Sequence, residues 1–191
     1  MVPILAGQYV ILEPLAESHR EGLLKIATEP GIWAYMLDRV ENASHLDRWF
    51  EAAQAPRFQT WVTRLRTSGE IIGSTRFIDF DAHHRSVEIG STWIAASHRG
   101  TKANPEAKFL QLTHAFEDLN LRRVALKTHH LNLQSQAAIR KLGAQYEGTF
   151  RNHWIMPDGS TRHTVWFSIT DIDWPRVKAN LLKRLSTPDT V

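Results

Sequence analysis

The chain has 191 residues, 42% of them hydrophobic, with 23 Lys+Arg against 20 Asp+Glu and no cysteine. That is enough apolar material for one domain, read as residues 1–191, and it excludes a disulfide framework, a thiolate metal site and a cysteine nucleophile. Met1–Gln8 lacks a basic start, no later segment approaches about 20 apolar residues, and the net charge of +3 is scattered, so the expectation is a cytoplasmic protein with no membrane partner and no nucleic-acid partner.

Tyr9 to Glu13 alternates like a strand, and His19 to Thr28 carries Leu23, Ile26 and Ala27 at helical spacing. Pro30-Gly31 breaks that helix. A second helical region, Ser44 to Ala53, sets Leu46, Trp49 and Phe50 on one side and closes at Pro56. Gln59 to Arg66, Ile71 to Phe80 and Ser86 to Ala95 read as strands of antiparallel hairpins, joined by Thr67–Glu70 and Asp81–Arg85.

After the third of these strands comes His98-Arg99-Gly100-Thr101-Lys102-Ala103-Asn104-Pro105, a basic loop that leads into a helix. Asn104 is the expected N-cap and Pro105 the first helical residue, with Phe109, Leu112, Phe116 and Leu119 as one apolar stripe. Unpaired amides at such a start, beside Arg99 and Lys102, make a seat for phosphate. Arg122 to Thr128 is the next strand, and strand-helix-strand calls for a right-handed crossover with parallel neighbours.

The helix Leu133 to Leu142 is capped by Asn132 and ended by Gly143. Tyr146 to Ile155 and Arg162 to Ile169 form a hairpin around Met156–Ser160, and Asp173 caps a last helix, about 173–186, with Trp174, Val177 and Leu181 on one face.

Three segments in this order resemble the GNAT acetyltransferase superfamily, in particular its RimJ/RimL-type branch of ribosomal-protein N-acetyltransferases. The first is Val87-Glu88-Ile89-Gly90 followed by the Arg99–Lys108 loop and helix start. The second is Asn132-Leu133-Gln134-Ser135-Gln136-Ala137-Ala138-Ile139-Arg140-Lys141-Leu142-Gly143-Ala144, and the third is Glu147–Arg151 with Pro157-Asp158-Gly159. The likeness runs from about Gln8 to Asp171. It implies an α/β fold with a mixed, mostly antiparallel sheet splayed at a parallel strand pair and flanked by helices. It also implies acetyl-CoA as donor and direct transfer to a primary amine, most readily a protein or peptide N-terminal α-amine.

The resemblance places the donor on Ile94, Arg99, Gly100, Thr101, Lys102, Ala103, Asn104, Asn132 and Ser135. Lys102 departs from the pattern, since it stands where the family loop usually has its first glycine. A left-handed backbone there would cost on the order of 1 to 2 kcal/mol.

Glu88 is the candidate base, placed 11 residues before Arg99 and sharing a face by alternation with Gly90, Thr92 and Ile94; the bland alternative is a structural carboxylate bonded to a neighbouring strand. Ile139 occupies the position of the family's tyrosine acid, which leaves Ser135 as the candidate proton donor, or as an ordinary first-turn serine. Trp33, Tyr35 and His153, with Trp154 beside it, are candidates for the acceptor side, although most aromatics should be core.

The pairs His83-His84 and His129-His130 have no carboxylate completing a ligand set, so no metal is expected. Small-molecule amines, a binding-only acyl-CoA module and a homodimer are the alternatives for acceptor, activity and assembly.

Overall fold

The computed structural model describes residues 2–187; Met1 and residues 188–191, which the 1–191 domain reading takes in, lie outside the described residues. Its strands are β1 (Leu5–Ala6), β2 (Val10–Pro14), β3 (Phe58–Leu65), β4 (Ile71–Asp81), β5 (Ser86–Ile94), β6 (Arg123–His129), β7 (Gln145–Ile155) and β8 (Thr161–Thr170). They form one eight-stranded sheet in the order β1-β2-β3-β4-β5-β6-β8-β7. β5 and β6 run parallel, and the other described neighbours are antiparallel. The helices are α1 (Arg20–Ala27), α2 (Ala43–Ala52), α3 (Ala103–Thr113), α4 (Leu133–Leu142) and α5 (Trp174–Ser186). Among the described residues no helix is long and apolar enough to cross a membrane.

Strand alternation gives the sheet two buried faces. Val87, Ile89, Val124, Leu126, Val165 and Phe167 meet Ala107, Leu112, Ile139 and Val177 on the α3 side, while Val62 and Trp93 meet Leu23, Leu46, Trp49 and Phe50 on the α1/α2 side. Each large side chain so covered contributes about 1.5–3 kcal/mol.

Several expectations change. The short β1 was not legible, and the strand placed from Tyr9 begins at Val10. Asn104 does not cap α3, which starts one residue earlier, so Asn104 and Pro105 lie inside its first turn; Thr101 Oγ1 instead accepts from Ala103 N–H at 3.2 Å. A proline is tolerated there because first-turn amides have no intrahelical acceptor. The stripe Phe109, Leu112, Phe116 and Leu119 does meet one core, although the chain winds wider over His114–Asp118. Asp173 precedes α5 but does not cap it, because its carboxylate bonds Thr170 and Gln145. Asn132 and Gly143 do what the sequence asks: Asn132 Oδ1 accepts from Ser135 N–H at 3.0 Å, and Gly143 ends α4 at φ +99°.

Candidate active site

The parallel pairing of β5 with β6 runs through Val87↔Val124 and Glu88↔Ala125 and ends at Ile89↔Leu126. β5 continues to Ile94 and β6 to His129, so beyond this point the two strands diverge and leave a wedge between their inner edges. The cause is local. Opposite Ser74–Arg76 of β4, β5 carries one extra residue between Gly90 and Trp93, with Ser91 at φ +46°. Such a bulge bends its strand and inverts the alternation after it.

The face predicted for Glu88, Gly90, Thr92 and Ile94 is therefore corrected. Glu88 and Gly90 face the α1/α2 side, but after the bulge Trp93 takes that side and Ile94 packs with the α3 core. Thr92 also lies on the α3 side, where Lys108 Nζ donates to it at 2.7 Å. The same ammonium donates to Thr75 Oγ1 at 2.8 Å and Gln111 Oε1 at 2.9 Å, and burial pulls its pKa down to about 7.

Glu88 is 8% exposed. Its Oε2 lies 2.7 Å from Lys127 Nζ, so it is bonded to the neighbouring strand. A Cβ built on Gly90 would come within 2.7 Å of Oε1. The carboxylate therefore reaches over Gly90 toward the opening wedge, and a glycine is needed beneath it. Burial pushes the Glu88 carboxyl up, opposed by the charges of Lys127 and Arg162.

Lys127 itself lies 4.6 Å from the Trp154 ring centre and 4.9 Å from that of Trp166, and the Arg162 guanidinium is 4.9 Å from Trp154. Lys127, Arg162 and Trp166 were missed by the sequence reading. The signal was there, since 125, 127 and 129 on β6 and 162, 164 and 166 on β8 alternate onto the face that carries Glu88.

At the far end of β5 the chain makes a short helical turn over Ala96–His98, and Gly100 adopts φ +79° with open space around it. The left-handed residue of this loop is thus Gly100, not Lys102, which sits at φ −73° without strain. Lys102 Nζ bonds the Tyr9 hydroxyl at 3.0 Å and lies 4.9 Å from that ring. Arg99 is exposed at the mouth of the loop. Exposed cation, left-handed glycine and helix start together fit a pyrophosphate. Ser135 is half-buried in the first turn of α4, next to its cap Asn132.

Trp33 is mostly core, with its indole N–H given to Ala27 O at 2.7 Å and its ring 5.2 Å from Trp93. Tyr35 is exposed, and its ring lies 5.4 Å from His129 at the end of β6. His153 stacks on Trp154 at 4.4 Å, and burial lowers its pKa, helped by Lys127 and Arg162. It reaches this position because β7 bulges between Phe150 and Trp154, with Asn152 N–H held by His163 Nδ1 at 2.8 Å. A cleft of about 410 Å³ lies between the segment that follows α1 and the β7–β8 turn, with Glu29, Trp33, Arg39, Glu41 and Asp158 in its wall.

Residues 10–145 match the family described as Acetyltransferase (GNAT) domain. The chain is 28% identical over 171 residues to YdaF of Bacillus subtilis (strain 168), named as a ribosomal N-acetyltransferase, covering 86% of this chain and 91% of that one. A GCN5-related N-acetyltransferase from Brucella melitensis superposes with a TM-score of 0.93 at 26% identity, covering 97% of this chain and 86% of the other. A crystal structure named as that of an acetyltransferase from T. thermophilus gives 0.89 at 33% identity, with 97% and 98% covered. The family match spans both strands of the splayed parallel pair and the loop between them, and the chain belongs to the GNAT acetyltransferases, enzymes that carry an acetyl group from acetyl-CoA to an amine.

Proposed function

We propose that the chain works as one cytoplasmic domain that acetylates protein or peptide N-terminal α-amines, with Glu88 as base and Ser135 as proton donor. The observation that carries this reading is the Glu88 carboxylate, buried at the mouth of the wedge, lifted toward amine chemistry by desolvation and already holding an ammonium at 2.7 Å. Acetyl-CoA supplies an activated acyl carbon. Arg99 and the Gly100–Asn104 loop suit its pyrophosphate, the freed main chain near Ile94 and the Asn132 side chain suit its pantetheine arm, and a hydroxyl such as that of Ser135 can protonate a leaving thiolate. Trp33, Tyr35 and His153 bound the acceptor side.

Proton arithmetic favours the α-amine. Such a group needs only about 1 kcal/mol to become neutral at neutral pH, whereas a lysine side chain needs roughly 4.6 kcal/mol. The name of the YdaF relative points the same way. A second reading, a small cationic amine such as a polyamine, draws on Glu29, Glu41 and Asp158 in the cleft wall.

Mass-shift assays with acetyl-CoA decide between them. Peptides with a free N-terminus should be acetylated at least about tenfold faster than N-blocked peptides with a free lysine or than spermidine. A lead for lysine peptides overturns the α-amine assignment, and a lead for spermidine selects the second reading. Replacing Glu88 by Gln should cost about a hundredfold or more in kcat/KM near pH 6 to 7, with the loss shrinking as pH passes the amine's own pKa. A loss equal at every pH identifies Glu88 as structural.

A further inference from the structure

Lys127 is the first β6 residue beyond the last parallel pair, at the start of the opening wedge. Its Nζ is 2.7 Å from Glu88 Oε2 and stands between two indoles, at 4.6 Å from Trp154 and 4.9 Å from Trp166. Only 14% of its side chain is exposed. A carboxylate with two aromatic faces is the chemistry that recognises an ammonium. The chain's own lysine therefore occupies the kind of cage an acceptor amine needs, beside the group read as the base.

We propose that Lys127 is a self-acetylation site, modified by bound acetyl-CoA when no acceptor fills the groove. The Lys127 ammonium gives one proton to Glu88, which passes it to solvent. The freed Nζ lone pair forms a bond to the acetyl carbonyl carbon, the carbon–sulfur bond breaks, and the second nitrogen proton ends on the departing CoA sulfur. The products are Nε-acetyl-Lys127 and CoA thiol, so no oxidant, reductant or further reactant is needed. Neutral acetyl-Lys127 no longer pairs with Glu88 and leaves an amide in the cage, which closes the groove to the next amine.

No comparable contact exists at Lys108, whose partners are two hydroxyls and an amide on the opposite face of the sheet. Lys25 lies in the open, paired with Glu21 on the surface. Lys127 should thus stand apart from both.

The inference rests on the reading of Glu88 as base and of the wedge as the donor's place, and the test separates the two. The full chain is incubated with acetyl-CoA, with and without an acceptor peptide, and tandem mass spectrometry follows every lysine while peptide product is measured in parallel. Lys127 should gain one acetyl at an initial rate about tenfold or more above Lys25, about a hundredfold slower in Glu88→Gln, and more slowly when the peptide is present. The gain at this position should be absent in Lys127→Arg. Acetylation of Lys127 no faster than in the urea-unfolded chain, or unchanged in a folded Glu88→Gln variant, overturns the proposal. Peptide product with Lys127 bare overturns self-acetylation alone, and acetyl-Lys127 without peptide product overturns the acceptor assignment alone. Neither product overturns both.

Discussion

Two lysines, Lys108 buried and Lys127 half-buried, lie on opposite faces of the same sheet near the place where β5 leaves β6, and their surroundings treat the loss of water differently. Lys108, on the α3 side, has Thr75, Thr92 and Gln111 around its nitrogen and no countercharge, so desolvation draws its pKa down to about 7. Lys127, on the α1/α2 side, has the Glu88 carboxylate and two indole faces. Burial alone does not set the state of an amine; the chemistry of its partners does. The first arrangement ties α3 to the bulge that opens the wedge. The second holds the base at the wedge itself.

The sharpest way to break this contrast is to remove one partner from each site. Lys127→Met strands a buried carboxylate, and loss of one member of a buried pair costs about 3 to 5 kcal/mol. With its folded pKa raised still further, Glu88 binds more protons folded than unfolded, so the penalty grows as pH rises above the ordinary carboxylate range and shrinks in acid. Urea unfolding across pH should show that trend, and adding Glu88→Gln should remove most of it.

Lys108 has the opposite sign. Its folded pKa is about 7 against 10.5 unfolded, so between these values the unfolded chain binds more protons and stability rises with pH. The gain from about pH 7 to about pH 9 is of order 2 to 3 kcal/mol, with little change below 7. Lys108→Met should flatten that rise in the same unfolding series; a rise of equal size in the variant assigns it to other groups.

The smallest effect tests the glycine beneath Glu88. A Cβ at Gly90 must displace both Glu88 Oε1 and the flexible end of Ile78. Gly90→Ala should lower kcat about tenfold, or about 1.4 kcal/mol, while calorimetry finds acetyl-CoA affinity near that of the parent.

Much of the fold was legible because it rests on local rules. Asn132 and Gly143 bracket α4, the turn residues mark the hairpins, and the basic loop after β5 announces the crossover. The errors at Asn104 and Thr92 share one cause, a left-handed residue just upstream that reset the local pattern. Asn104 looked like a cap, but Gly100 turns the chain early and Thr101 supplies the oxygen. Alternation carried Glu88 and Gly90 correctly and failed at Thr92, because no local pattern marked Ser91 as left-handed. Glu88 could be picked out by its place before the loop, whereas its partners Lys127, Arg162 and Trp166 come from strands that meet it only through the parallel and antiparallel register. Lys108 was invisible for a different reason: a charged residue in a helix reads as solvent-facing until its neighbours are known.

Glu106, in the first turn of α3, imposes a long-range closure on the fold. Its Oε1 accepts from Gln8 N–H at 2.8 Å, and its Oε2 accepts from Tyr9 N–H at 2.6 Å and Val10 N–H at 2.7 Å. During synthesis these amides leave the ribosome almost a hundred residues before their acceptor does. β2 pairs locally with β1, but the amides of Gln8, Tyr9 and Val10 meet their acceptor only when α3 is in place. Non-local closures of this kind come late in folding and set its pace. The same carboxylate fastens the turn before β2 to the helix that opens behind the donor loop, so the position of that loop and the entry of β2 into the sheet depend on one side chain.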